Sequence, residues 1–251
     1  MSTNRPFALT IAGFDPSGGA GVLADVKTFE QHRVYGLAIN TGNTIQTENE
    51  FFEIQWTILD FLLRSIEVIL ENYDVKVVKI GIIPSLEYLK SIVFAIKKIS
   101  PKTKIVWDTV LKSTTEFNFI TMDNQNNLIE ILKNINLITP NFKEVLLLHP
   151  CETKSEMAAT FLSKYCPVLL KGGHNPQNIG VDYLYAENKV HTFHPKDNTA
   201  SEKHGSGCVL SSAIAAQIAL GESIYTACNL SKTYTENYLQ SSQTKLGHHH
   251  A

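Results

Sequence analysis

No run in these 251 residues approaches the roughly 18 consecutive apolar residues of a membrane span, so no membrane partner is expected. Charge of one sign is equally scarce. The chain has 22 Lys and Arg against 24 Asp and Glu, a formal net charge of -2, which leaves no basic surface for nucleic acid. Cysteine is sparse too. Cys151, Cys166, Cys208 and Cys228 show no close pairing, so neither a zinc ribbon nor a disulfide framework is suggested. A reducing, cytoplasmic setting fits that usage, and the first residues show no secretory apolar segment. What is present is an ordinary globular composition, 43% hydrophobic and 18% charged, in a chain long enough for one large α/β domain. An anionic ligand would have to be held by local geometry and a few cations.

Strand and helix patterns alternate along the chain. Apolar runs at residues 7–12, 35–40, 75–80, 105–108, 137–139 and 167–170 read as strands, with two more at 181–185 and 189–193. Helical periodicity appears at 20–33, 56–72, 86–99, 128–133, 156–165, 211–220 and 223–238. The segments 41–49, 109–119 and 195–203 read as polar loops. With no linker, repeat or break in composition, the expectation is one α/β domain: a mostly parallel, doubly wound sheet with helices on both faces. The domain is drawn over residues 1–245. Residues 246–251, with His248, His249 and His250 after Leu246-Gly247, read as a tag-derived or disordered tail.

Several loops carry chemistry. Gly13-Phe14-Asp15-Pro16-Ser17-Gly18-Gly19-Ala20-Gly21 joins a strand to a helix, the arrangement in which ligands sit at a strand's carboxyl end. It is neither a Walker loop nor a G-x-G-x-x-G turn, and Asp15-Pro16-Ser17-Gly18 would also serve as a plain turn. Gln46 offers an amide that can donate and accept at once, which suits a heteroaromatic edge. Asp108 ends a strand, where carboxylates of such sheets reach a ligand. Asn141 and Glu144 stand three apart at a helix start, which suits either a capping box or a water-linked Mg²⁺. Lys171 ends a strand ahead of two glycines, and reads either as a phosphate-neutralising cation or as a snorkelling surface lysine. His204-Gly205-Ser206-Gly207-Cys208 opens an apolar helix. It reads either as an anion site that favours a thiolate or as a glycine-rich start with a space-filling cysteine.

Taken in order, these segments resemble the hydroxymethylpyrimidine/phosphomethylpyrimidine kinases of thiamine synthesis, within the ribokinase-like superfamily. The resemblance rests on Ala12 to Gly21, Ala24-Asp25-Val26-Lys27-Thr28, Lys79-Ile80-Gly81, Thr139 to Glu144, Leu170 to His174 and His204 to Cys208. It spans residues 7–240. It implies an ATP- and Mg²⁺-dependent transfer to 4-amino-5-hydroxymethyl-2-methylpyrimidine and then to its monophosphate, by a homodimer. On the matching positions it implies a pyrimidine pocket at Gly13, Asp25 and Gln46, and nucleotide contacts at Asp108, Asn141 and Lys171. It further implies a Mg²⁺ pair at Asn141 and Glu144, an anion hole at Gly205, Ser206 and Gly207, and a catalytic base at Cys208. That turns the Asn141/Glu144 reading from cap toward metal. Asp108-Thr109-Val110 departs from the family's usual Asp-Pro-Val, Phe14 from a small polar residue, and Ile82-Ile83 from methionine or leucine. A pyridoxine or pyridoxal kinase, or a non-catalytic pyrimidine-binding module, remain the alternatives.

Overall fold

A computed structural model describes residues 5–111, 125–175, 177–196 and 202–250. The expected hydroxyl-rich loop lies outside these from residue 112 on, as does most of the loop expected at 195–203.

The apolar runs build the strands β1 (Phe7–Phe14), β2 (Tyr35–Gln46), β4 (Val75–Ile80), β5 (Lys104–Trp107), β6 (Leu137–Ile138) and β7 (Val168–Leu170). All six pair in parallel, and both of their faces are covered by helices, which is why they read as near-continuous apolar stretches. Three antiparallel strands complete the sheet: β3 (Phe51–Trp56), β8 (Asp182–Ala186) and β9 (Lys189–Phe193). The order is β3-β2-β1-β4-β5-β6-β7-β8-β9. The expected mostly parallel, doubly wound α/β domain is therefore what forms. β8 and β9 close through Glu187 and Asn188, both at positive φ, as a two-residue hairpin turn requires.

One face carries α1 (Gly21–Gln31), α7 (Ser206–Ala219) and α8 (Ile224–Gln240). The other carries α2 (Leu59–Asn72), α3 (Leu86–Ile99), α4 (Gln125–Leu132), α5 (Phe142–Leu148) and α6 (Ser155–Leu162). The chain leaves β1 toward β2 on one side and returns to β4 on the other. That reversal opens a crevice at the strands' carboxyl ends. α7 lies along it, packed on β4, β1 and β5, and is buried from Val209 to Ala216.

One expectation is corrected. The segment 41–49, read as a polar loop, instead prolongs β2 to Gln46, and residues 51–56, partly read as helix, form β3. Thr41, Thr44 and Ile45 are β-branched and suit a strand despite their polarity; alternate burial of Thr44 and exposure of Ile45 shows the two-residue period. The last described residues, up to His250, lie against α8 and the start of α7. Lys245 O accepts the His204 N–H at 2.9 Å, and the Tyr234 hydroxyl and His249 Nδ1 are 3.0 Å apart. Gly247 packs so closely on the Tyr238 ring that a Cβ would meet it at 2.5 Å.

Candidate active site

The glycine loop after β1 is organised by Asp15, 1% exposed. Its carboxylate accepts from Ser17 N at 2.9 Å, Ser17 Oγ at 2.8 Å and Ala20 N at 2.9 Å, and contacts His204 Nε2 at 2.8 Å. Burial acts to raise its pKa, but the His204 and Ser17 hydrogen bonds prevail and hold the carboxyl below its ordinary value. His204 thus ties this loop to the one that opens α7. There the two backbones nearly touch. Gly205 sits at φ 73°, and a Cβ on it would lie 2.0 Å from Gly19 O. Only glycine fits both the space and the left-handed turn.

α7 begins at Ser206 with no side chain capping its first N–H groups. Uncapped donors at a helix start form an anion site, since dipole and hydrogen bonds act together. A Cβ on Gly207 would be 3.4 Å from Lys171 Nζ, so a cation stands beside those donors. Lys171 is delivered by the end of β7, where its N–H is held by Pro140 O at 2.8 Å. Its ammonium bonds Asp108 Oδ1 at 3.0 Å and lies 3.9 Å from Glu144. The snorkelling alternative is excluded: the side chain is 13% exposed and paired. Burial works against its charge, but Asp108 and Glu144 keep its pKa raised.

Asn141 and Glu144 form a complete capping box on α5. Asn141 Oδ1 accepts from the Lys143 and Glu144 N–H groups, both at 2.9 Å, and Glu144 Oε2 accepts from Asn141 N at 2.7 Å. Burial pushes the Glu144 carboxyl up to about 7, with Lys171 opposing. The contacts of Glu144 fall on Oε2, including Thr109 Oγ1 at 3.4 Å. Among the described residues no group of three or more His, Cys, Asp or Glu assembles as a metal cage. One carboxylate beside a phosphate-type site still fits Mg²⁺, which takes one or two carboxylates and leaves the rest to water and phosphate.

Three of the expected contacts have close protein neighbours of their own. Asp25, expected to line the pyrimidine site, is fully buried. It accepts from Thr10 Oγ1, from Lys79 Nζ at 2.9 and 3.0 Å, and from Ser212 Oγ at 2.6 Å. Asp108, expected on the nucleotide, is also fully buried, bonded to Lys171, Thr139 Oγ1 at 3.1 Å and Ser211 Oγ at 3.0 Å. Burial raises its pKa, but the Lys171 and Lys79 charges win and keep it ionised. Both carboxylates form the floor beneath the site. At Gly13 the missing side chain makes room for Ile82, whose Cδ1 would be 2.4 Å from a Cβ there.

Cys208 is half-buried, and its electrostatics correct the expectation of an easily formed thiolate. Burial pushes the thiol up to about 12; Asp108 and Asp25 add to this, while Lys79 and the Gly21 N–H oppose it. The helix-start effect is outweighed. Gln46 sits at the end of β2 over the rim, its Nε2 donating to Thr44 Oγ1 at 2.8 Å, which in turn donates to Phe14 O.

The structure thus gathers Gly205, Ser206, Gly207, Cys208, Lys171, Glu144 and Asn141 around one crevice, with Gly13 and Gln46 along its β1–β2 rim. Sequence reasoning missed roles for Lys79, His204, Ser211 and Ser212. Lys79 had a signal: it interrupts the apolar run Val77-Val78-Lys79-Ile80, in a strand buried on both faces.

The chain matches the family model described as phosphomethylpyrimidine kinase over residues 15–251. It is 32% identical over 247 residues to the hydroxymethylpyrimidine/phosphomethylpyrimidine kinase of Aquifex aeolicus, covering 96% of each chain. Longer relatives also match, and the chain spans 46% of one from Schizosaccharomyces pombe. Among solved structures, a phosphomethylpyrimidine kinase from Clostridium difficile superposes with a TM-score of 0.77 at 32% identity, over 92% of this chain and 98% of that one. The Staphylococcus aureus pyridoxal kinase in complex with AMP-PCP reaches a TM-score of 0.84 over 97% and 92% at 23% identity, a likeness of fold.

Proposed function

The chain belongs to the phosphomethylpyrimidine kinase family, and on that premise we propose that it uses ATP to phosphorylate 4-amino-5-hydroxymethyl-2-methylpyrimidine and then the monophosphate, as in thiamine biosynthesis. It is a kinase of ribokinase-like fold. The observation that carries the chemistry is Lys171 Nζ beside Gly207 at the uncapped start of α7.

Phosphoryl transfer asks for positioning and charge neutralisation more than for covalent chemistry. The first N–H groups of α7 receive the phosphoryl oxygens as charge spreads over them, and Lys171 neutralises part of that charge. Mg²⁺, when bound with the nucleotide, supplies further neutralisation and would be held through Glu144, which the Asn141 cap keeps in place. Gln46 orients the pyrimidine by its amide at the rim. Cys208, once its thiol has lost its own proton to solvent, takes the hydroxymethyl proton as the oxygen attacks. Since its thiol is protonated in the resting site, the first phosphorylation accelerates as pH rises. The monophosphate already offers an anionic oxygen, so the second step does not share that dependence.

The test is ADP formation on adding the pyrimidine alcohol, its monophosphate or pyridoxal. Turnover of the first two supports the reading. Turnover of pyridoxal alone would replace it with the pyridoxal kinase alternative, and no ADP from any would leave a pyrimidine-binding module. A homodimer in the cytoplasm completes the proposal. It is supported by the exposed apolar side chains Ile58, Phe61 and Val68 along α2 and by four free cysteines, and is tested by sedimentation and by fractionation.

A further inference from the structure

β4 places a lysine inside a strand buried on both faces, where an apolar side chain is the norm. Val75, Val77 and Lys79 are buried while Lys76 is exposed. A buried ammonium persists only with charged, hydrogen-bonded partners. Lys79 has Asp25 at 2.9 and 3.0 Å and Asp108 at 3.9 Å. Each carboxylate in turn receives a hydroxyl from α7. Ser212 donates to Asp25 at 2.6 Å and Ser211 to Asp108 at 3.0 Å, and Ser211 Oγ also lies 3.1 Å from Cys208 O. Ser211 and Ser212 follow Cys208 by three and four residues, so the three share one face of the helix. The remainder of α7 is packed by apolar and small side chains, whose attraction is non-directional. Two hydroxyl–carboxylate bonds supply the direction that such packing lacks.

We propose that Lys79 is a positioning residue: it holds Asp25 and Asp108 at the spacing that receives Ser212 and Ser211, and so sets where α7 presents Gly207 and Cys208 and which charge faces the thiol. The proposal deepens the kinase reading and rests on it for the transfer step, whereas the pegging itself is a property of the free enzyme. The groups facing Cys208 are Lys79 from β4, Asp25 and the Gly21 N–H from α1, Asp108 after β5, Lys171 after β7 and Tyr238 from α8. Lys79 opposes the effect of burial on that thiol most strongly, and the Lys171 charge acts in the same direction.

Lys79→Met alone strands the Asp25 charge in the core and is expected to fold poorly. The informative protein is Lys79→Met/Asp25→Asn, in which both charges leave and the volumes stay. Two readouts apply to the full chain carrying Cys151→Ser. The first is the rate of iodoacetamide alkylation of Cys208 at pH 8.5, followed by peptide mass spectrometry without substrate. Lys79 opposes the effect of burial more strongly than Asp25 adds to it, so removing both lowers the rate severalfold, less than the decade that one full unit of thiol pKa would give. The second is turnover of the pyrimidine alcohol, in which kcat falls about tenfold or more and the nucleotide KM moves less. An unchanged or faster alkylation overturns the proposal, because Lys79 would then serve only to neutralise Asp25. If the double variant does not fold, Ser211→Ala/Ser212→Ala keeps every charge paired; a wild-type kcat there overturns the pegging, and a tenfold loss with an unchanged melting temperature supports it. Failure of the wild type to form ADP with the pyrimidine would sink the kinase reading while leaving the alkylation comparison intact.

Discussion

The floor of the crevice and its rim are built on opposite principles. The floor is a buried string of alternating charge, Asp25, Lys79, Asp108, Lys171 and Glu144, in which each charge has its partner within 4 Å. These side chains are largely buried, so electrostatic interactions are strong and an unpaired member is costly. The rim, made of the β2–β3 hairpin, Phe14 and Ile82, is half-exposed and held by single neutral hydrogen bonds such as that from Gln46 to Thr44. Transfer of a phosphoryl group needs donors fixed in advance, and the floor provides that fixity. Recognition of a small ring needs a surface whose side chains can be exchanged, and the rim provides that. Changes to the floor should therefore act on kcat and stability, and changes to the rim on KM.

The largest effect is expected from Gly205→Ala. A methyl there meets Gly19 O at 2.0 Å, so the two loops must part and the α7 donors move. Misplacement of about 1 Å costs on the order of 100-fold in rate, so kcat should fall at least that far for both phosphorylations, with a lower melting temperature. Next is Cys208→Ala. A positioned base contributes on the order of 100-fold or more, and the loss should fall on the alcohol and spare the monophosphate. Equal losses in both steps would make the thiol part of the anion hole alone.

Gln46→Leu tests the rim. The pyrimidine KM should rise about tenfold, the worth of a hydrogen bond left unmade, while kcat and melting temperature stay near wild type. An unchanged KM would move ring recognition elsewhere. The smallest effect concerns the seam between floor and rim. Asp15 has a folded-state pKa below its ordinary 3.8, so its stabilisation is complete above that value and is lost as pH falls through the lower folded-state pKa. Wild type should lose melting temperature below about pH 4 more steeply than Asp15→Asn. Parallel curves would show that the Asp15–His204 contact does not couple the loops.

The positions of the phosphate-side residues were legible from the sequence because glycines mark the turns at Lys171 and at Gly205 to Gly207, and because Asn141 and Glu144 stand three apart at a helix start. Their environments were not. Cys208 sits at a helix start, which argues for a thiolate, but the buried carboxylates of Asp25 and Asp108 come from α1 and β5 and argue the other way. Asp25 and Asp108 looked like ligand contacts because nothing local reveals that Lys79 and Lys171, 54 and 63 residues away, close upon them. The β2–β3 hairpin was missed since its polar residues hide the two-residue period, and pairing with β1 is what commits them to a strand.

By itself the sequence determined the alternation of strands and helices, the parallel sheet and the places where backbone comes close enough to need glycine. These follow from hydrophobic periodicity and from steric limits acting over a few residues. Only the tertiary structure decided which charges pair, which thiol is protonated and which side chains close the floor. Burial and Coulomb interaction depend on distance in space, and that distance is set when β1, β4, β5 and β7 come side by side beneath α7.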